Sequence, residues 1–487
     1  MAMSTPDPLS MAMAKSVLPH DIGKVTISSD EKGSDFTEGE VILVTKDNDW
    51  FCYGVQQTDK TSLGTQAIFS LRTDTGLVGQ QYSWLTTIFY IAYLSHVQQI
   101  SLKLGVCVFS IAAAQDWADL MAIRALQCFF ECTISPGFVL VAGTWYRTEE
   151  HSARALFWQS ANAGFGIIAN LVTYGIGSYA QKNDGIAPWR GISMVLGSCT
   201  VVLALICFAL LGSPKEVIWL NKEEKWMAAA RILRNKVGRD ITGVEWTWSQ
   251  VPDAFRDPQL WFCLFSAFLS SVLNGAFTKF ASIMYNSFGF TQLEVLLIDI
   301  PRSVFSLLIF LGVGLNTRKV PNRRMYVMAA ACIPPFVGLL GLAFLPNDPA
   351  YKWTKWGLYL ITVPFVLALF LAWTLISSNV GGRTKAKTII YSVTSIGYCV
   401  GNMVGFQICK AKKAPRYIPG TIGAAIFLGI EFALICTWRG YYVWMNRKRD
   451  KAAKESGVTP EEQEKLGREM GENNVTDLQN PHFRCTM

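Results

Sequence analysis

The chain has 487 residues, 51% hydrophobic and only 16% charged, with a formal net charge of +8. A soluble domain carries about 25% charged residues, so composition excludes an ordinary water-soluble protein. The basic residues sit in short links between apolar runs, which fits loop charge in a membrane protein and not a nucleic-acid surface. Continuous apolar runs in place of alternation exclude a β-barrel.

In chain order, residues 1–48 are polar and read as a disordered cytoplasmic tail. Apolar spans follow near 77–94, 102–114, 118–146, 155–179, 192–211, 259–285, 293–315, 325–345, 355–378, 388–409 and 421–444, with a more polar one at 50–70. Runs such as "ISMVLGSCTVVLALICFALLG" (192–212) approach the roughly 20 residues of a membrane helix. The pattern predicts an all-α polytopic membrane protein. Its parts are an N-terminal transmembrane half (50–211), a charged central loop (212–258), a C-terminal transmembrane half (259–444) and a tail read as disordered (445–487).

Loop charge predicts the orientation. The links at 147–154, 316–324 and 383–387 are basic, as are Arg447, Lys448, Arg449 and Lys451, while those at 115–119 and 286–292 carry no Lys or Arg. The basic side is the expected cytoplasmic side, and it includes the central loop and the C-terminal tail. "KAKKAPRY" (410–417) is an exception on the outer side. A sequon at Asn474-Val475-Thr476 is expected to stay unglycosylated on the inner side. The start shows no apolar signal-peptide core, and "RCTM" is one residue short of a prenylation box. The 12 cysteines are scattered, mostly in apolar runs, and read as helix-packing residues.

Charges inside apolar spans cost about 2.5–3.5 kcal/mol each at mid-bilayer and usually face a cavity or a partner. Here they are Asp59, Lys60, Arg124, Glu131, Lys279, Asp299, Arg302 and Glu431. Arg124 and Glu131 share one helix face but stand about 10 Å apart along it, too far for a direct bond. Arg124 alternatively snorkels to the headgroups, and Lys279 reaches an interface. Asp299 and Arg302, at i and i+3, fit a self-satisfied pair. Glu431 reads equally as packing support and as chemistry. Gly397, Gly401 and Gly405 recur every four residues, which lets two helices approach closely. Asn162, Asn170, Asn274 and Asn402 offer interhelical hydrogen bonds or substrate contacts. No nucleotide loop, zinc motif or other catalytic constellation is present, so an enzyme is not expected, nor is a cofactor or metal.

The segments "YGVQQTDKTSLGTQAIFSL" (53–71), "RALQCFFECTISPGF" (124–138), "WYRTEE" (145–150), "DPQLW" (257–261), "SSNVGGRTK" (377–385) and "GYCVGN" (397–402), in this order, resemble the fungal allantoate permease branch of the major facilitator superfamily. The resemblance covers roughly residues 53–94 and 117–450. It implies a major facilitator superfamily fold of two six-helix halves around a central cavity, with alternating access by rocking. It also implies a symporter that takes up a small organic anion with protons at the plasma membrane. Asp59, Lys60 and Glu131 match the family's proton-coupling positions, and Arg124 matches its substrate arginine. Asn162, Asn274, Lys279 and Asn402 are the further expected substrate contacts. The expected partners are the anion, protons and the lipid bilayer, with no nucleic acid and no required oligomer.

Two pieces of the family pattern are missing, both in the N-terminal half. Before Tyr53 stands "EGEVILVTKDNDWFC", with Lys46, Asp47 and Asp49 where lipid-facing residues belong. After "FYIAYL" (89–94), residues 96–103 replace a full basic loop with its Gly/Asp/Arg signature. The run 104–114 then spans only about 16 Å. The N-terminal half is therefore expected to be incomplete. The alternative to a transporter is a non-transporting membrane sensor or a decayed pseudo-transporter.

Overall fold

The computed structural model describes parts of 66–88 and residues 101–131, 151–183, 187–210, 246–278, 281–320, 322–346, 348–382, 389–408 and 418–487. Among them every regular element is helical. A lipid-embedded backbone has to satisfy its hydrogen bonds within the segment, and a helix does so. The expected tail at 1–48 lies outside the described residues, as do residues 212–245 of the expected central loop.

The first half contains α1 (Ser101–Ser110), α2 (Trp117–Glu131), α3 (His151–Lys182) and α4 (Pro188–Leu210). α1 has ten residues and passes into a 3₁₀ turn at Ile111–Ala113. Its described part starts at Ser101, where the described residues resume. It lies tightly on α4, where a Cβ at Gly197 would stand 2.5 Å from the Phe109 backbone nitrogen. Upstream, Gln66 donates to Ser193 Oγ at 2.8 Å, and Asp74 accepts from Trp189 Nε1 at 2.8 Å.

The second half starts with α5 (Gln250–Arg256) and α6 (Pro258–Leu273). The "DP" of "DPQLW" opens α6. Asp257 accepts the Gln259 N–H, and Pro258 takes the first position, where no donor is required. A π-helical turn at Asn274–Thr278 follows, then α7 (Ala281–Ser287). A Thr291/Glu294 capping box starts α8 (Gln292–Lys319). α9 (Arg324–Phe344), α10 (Lys352–Ile361), α11 (Phe365–Asn379), α12 (Tyr391–Ile408), α13 (Ile418–Glu455) and α14 (Pro460–Glu472) complete the set. Five stretches of this half are long and apolar enough to cross a membrane: Pro258–Ala276, Gln292–Thr317, Arg324–Phe344, Pro349–Asn379 and Pro419–Glu455.

Two helix pairs dominate the packing. α6 and α12 touch along the glycine stripe. A Cβ at Gly397 would meet the Leu264 carbonyl at 2.6 Å, and those at Gly401 and Gly405 would run into the Phe268 and Val272 carbonyls. The close approach expected from the four-residue spacing is realised against carbonyls that are themselves four residues apart. α3 and α8 form the other pair and join the two halves. A second link between the halves runs from Gln407 Nε2 to Thr87 Oγ1 at 3.3 Å.

The tail is a correction. Residues 445–487 were expected to be disordered, yet α13 runs unbroken to Glu455, α14 follows, and 474–487 fold back onto the bundle. Asn446 and Cys485 exchange two hydrogen bonds of 2.9 Å. Asn379 binds the Thr486 backbone through both ends of its amide at 2.7 Å. Arg324 donates to Thr486 Oγ1 at 2.6 Å, and Gln250 to the Asn474 carbonyl at 2.9 Å. The segment looks too polar for a core because the groups it binds are polar. They are backbone and side-chain groups at the helix ends, left over once the helical ladder stops.

Candidate functional site

Arg124 is buried on α2, with 2% of its surface exposed, and its Nη1 donates to Gln127 Oε1 at 2.6 Å. Gln127 lies three residues on, which is one helical turn. It is fully buried, and its Nε2 has no partner among the described residues. Snorkelling does not account for so buried a guanidinium. Glu131 is the last described residue on α2, and its side chain lies outside the described residues. Asp59, Lys60 and Lys279 lie outside them entirely.

Asn162, on α3, donates to Gln159 Oε1 at 2.7 Å, while its own Oδ1 is buried and meets no donor among the described residues. The structure brings Asn274 and Asn402 together. Asn274 Nδ2 donates to Asn402 Oδ1 at 2.9 Å, and Asn402 Nδ2 donates to the Tyr398 carbonyl at 2.8 Å. This is the interhelical bond between α6's π-turn and α12, made possible where Gly275 lets the Asn402 backbone come close. No hydrogen bond joins Asn162 to that pair. Arg124 and Asn162 each take a glutamine of their own helix as a partner, a spacing that was legible in the sequence but not singled out.

The seam between α3 and α8 carries a further polar group. Arg302 grips the Asp299 carboxylate with Nε at 2.6 Å and Nη2 at 3.1 Å, so the i, i+3 pairing read from sequence is realised. From the other half, Asn170 Nδ2 donates to the same carboxylate at 3.2 Å. That contact links residues 129 positions apart, and no local pattern announces it.

Glu431 is the other buried acid. It is wholly inaccessible on α13, and its Oε1 accepts from Ser266 at 2.6 Å and Ser270 at 3.3 Å. Both serines lie on α6, at i and i+4. Its Oε2 has no hydrogen-bond partner among the described residues. The arrangement knits α13 to α6, which supports the packing reading.

Among the described residues no cluster of His, Cys, Asp and Glu has the makings of a metal site. What the helices hold in place of one is a set of amides, two arginines and a seam between halves, which suits binding and movement of a polar solute.

Comparison with known proteins identifies the family. The chain matches the family model of the Major Facilitator Superfamily over residues 100–406. It is 28% identical over 471 residues to the allantoate permease of Saccharomyces cerevisiae, covering 89% of this chain and 83% of that protein. It is likewise 28% identical over 451 residues to an uncharacterized transporter of Schizosaccharomyces pombe, covering 89% and 83%. The thiamine pathway transporter THI73 of S. cerevisiae is 28% identical over 454 residues, covering 88% and 81%. The fold is similar to that of the proton:xylose symporter XylE, with a TM-score of 0.59, 14% sequence identity, and coverage of 83% of this chain and 95% of that one. A match spanning most of the chain, transporters throughout the relatives and a shared two-half helical fold lead to one assignment: the chain is a multi-pass membrane protein belonging to the Major Facilitator Superfamily.

Proposed function

We propose that the protein takes up a small organic anion, such as allantoate, a ureide, nicotinate or a related carboxylate, together with protons at the plasma membrane. The observation that carries this reading is Arg124. A guanidinium this deeply buried in a transporter helix, at the position that matches the family's substrate arginine, is suited to meet a carboxylate. Likeness to the allantoate permease supports the choice of substrate class. Asn162, Asn274, Lys279 and Asn402 add polar contacts to the anion. Asp59, Lys60 and Glu131 take and release the coupled proton, and the basic links and the C-terminal segment face the cytoplasm.

The test is uptake of labelled allantoate and nicotinate by yeast lacking its own carriers for them, across external pH and with a protonophore. Uptake that rises as external pH falls and collapses with the protonophore supports the reading. Arg124→Gln should abolish uptake, and Glu131→Gln should remove its dependence on the proton gradient. Unchanged proton-driven uptake in Glu131→Gln sinks the coupling role.

The polar link 96–103 and the short apolar run 104–114 favour a second reading, a non-transporting sensor, since such a run is too short to cross the hydrocarbon. A sensor built this way binds the anion and accumulates none inside vesicles, so binding and accumulation measured on one preparation separate the two.

A further inference from the structure

The Asp299–Arg302 pair leaves half of its guanidinium unused. Nε and one Nη2 hydrogen serve Asp299, and no other hydrogen-bond acceptor among the described residues meets Arg302. Nη1 and the Nη1/Nη2 edge stay open. Arg449 shows what a purely structural arginine does here: it is 7% exposed, with Nη1 on the Phe483 carbonyl and Nη2 on the Asp477 carbonyl. Arg302 differs. It keeps 24% and Asp299 19% of its side-chain surface accessible. The open edge of the fork and this accessible surface leave space for a ligand oxygen beside Arg302.

A second observation points to a ligand in that space. Tyr285 is 1% exposed, and its hydroxyl comes near Asp299 and Arg302 without completing a hydrogen bond of normal geometry. Its ring is held edge-on by Tyr359, with centroids 5.1 Å apart, so the hydroxyl cannot easily turn elsewhere. A buried hydroxyl held by no more than this loose contact with Asp299 is poorly satisfied and can turn its hydrogen to an oxygen arriving beside Arg302.

We propose that Arg302 is an anion-receiving residue, in which the Nη1/Nη2 edge takes a carboxylate of the transported solute and Tyr285 supplies a further donor. This rests on the organic-anion reading above and adds a residue of the second half to Arg124 of the first. A planar fork matches a carboxylate at two points, so the class favoured is a small carboxylate, not a sugar or a cation. Asp299 orients the guanidinium and competes with the incoming anion for its charge. Because Asn170 reaches the same Asp299 carboxylate from α3, the arriving anion acts directly on a contact between the halves.

The ion pair's two members then have opposite effects, which a structural pair would not produce. Binding of allantoate and of nicotinate, with nicotinamide as the uncharged control, is measured on the full-length protein in lipid nanodiscs. Arg302→Lys is expected to weaken carboxylate binding by about tenfold or more, since it keeps the charge but loses the fork. Asp299→Asn is expected to tighten it severalfold. Tyr285→Phe, which keeps the ring and its packing, should weaken it about threefold and serves where Asp299→Asn fails to yield monodisperse protein. Wild type that binds carboxylates, with Arg302→Lys and Tyr285→Phe binding equally well, overturns the proposal and leaves the organic-anion reading standing. Loss of affinity in both Asp299→Asn and Arg302→Lys also overturns it, in favour of a structural pair. Wild type that binds neither carboxylate overturns this proposal and the carboxylate reading together.

Discussion

Asp477 and Gly381 lie 96 positions apart, and the Asp477 carboxylate accepts the Gly381 backbone N–H at 3.0 Å. The other carboxylate oxygen accepts from Gln259 Nε2 at 2.8 Å, and Gln259 Oε1 in turn accepts from the Tyr442 hydroxyl at 2.8 Å. One side chain of the C-terminal segment therefore holds the start of α6, the chain after α11 and, through Gln259, α13. Gly381 is needed for the approach, since a Cβ there would stand 2.8 Å from the Asp477 nitrogen.

Asp477→Ala strips acceptors from at least two buried donors. Each buried group left without a partner costs about 1–3 kcal/mol, so the variant should lose about 2 kcal/mol or more in denaturant unfolding of the purified protein. Asp477→Asn keeps one acceptor oxygen and should lose less. A loss below about 0.5 kcal/mol, the range of ordinary surface substitutions, would mean the contact carries no stability.

Cys485 reports on the same segment. Burial pushes its thiol up to about 12, and Asp477 and Asp257 push in the same direction, while Arg449 opposes them. A thiol that holds its proton to a higher pH when folded contributes stability below its unfolded value, and that contribution fades as pH rises toward 12. At pH 7.5 it should resist maleimide, because the thiolate is the reactive form. Mass mapping of labelled peptides should show slow modification in wild type and a rate at least tenfold faster in Asp477→Ala. Equal rates in the two proteins would show that the segment does not shield it.

Gly401→Ala places a methyl against the Phe268 carbonyl of α6. Backbone cannot rotate away as a side chain can, so the cost should be about 1–3 kcal/mol, as for other overpacked sites. Gly423, on α13, has nothing within 4 Å of its would-be Cβ. Gly423→Ala should be neutral or stabilising by up to about 1 kcal/mol, because it narrows the unfolded ensemble. Comparing the two melting curves checks both, and similar shifts would remove the close-packing argument.

Glu431→Gln keeps an oxygen for Ser266 and Ser270 and removes the need to bury a charge without a cation. It should unfold within about 0.5 kcal/mol of wild type. Glu431→Ala leaves two hydroxyls and a void and should lose about 2 kcal/mol or more. If Glu431→Gln instead loses as much as Glu431→Ala while both remain folded at neutral pH, the carboxyl group has a role beyond joining α13 to α6.

The parts of the fold legible in the sequence were those written in local spacing. Gly397, Gly401 and Gly405 gave a close helix approach by α12, and Asp299 with Arg302 gave an ion pair one turn apart. Contacts that depend on distant chain were not legible. Asn170 meets Asp299 only because α3 and α8 lie side by side, and Asn379 meets Thr486 across 107 positions. The C-terminal segment was misread for a related reason. A hydropathy argument scores burial by apolar content, whereas this segment is held by amides, a carboxylate and arginines binding backbone groups at helix ends. Of the expected site, Asn274 and Asn402 are drawn into one contact, while Arg124 and Asn162 are each tied to their own helix.

The glycine stripe also sets the kinematics of the second half. Three α12 glycines are seated on three α6 carbonyls spaced four residues apart, so a screw displacement of α12 by one residue would drive Tyr398, Asn402 and Phe406 into backbone oxygens. α6 and α12 can travel only as a single strut. The α3–α8 seam is built differently: a Cβ at Gly166 would sit 3.7 Å from Ser303 Oγ, an ordinary contact, and Asn170 gives it a single side-chain hydrogen bond to Asp299. One joint is welded and the other can shear, so any stroke this protein makes has its play at α3–α8.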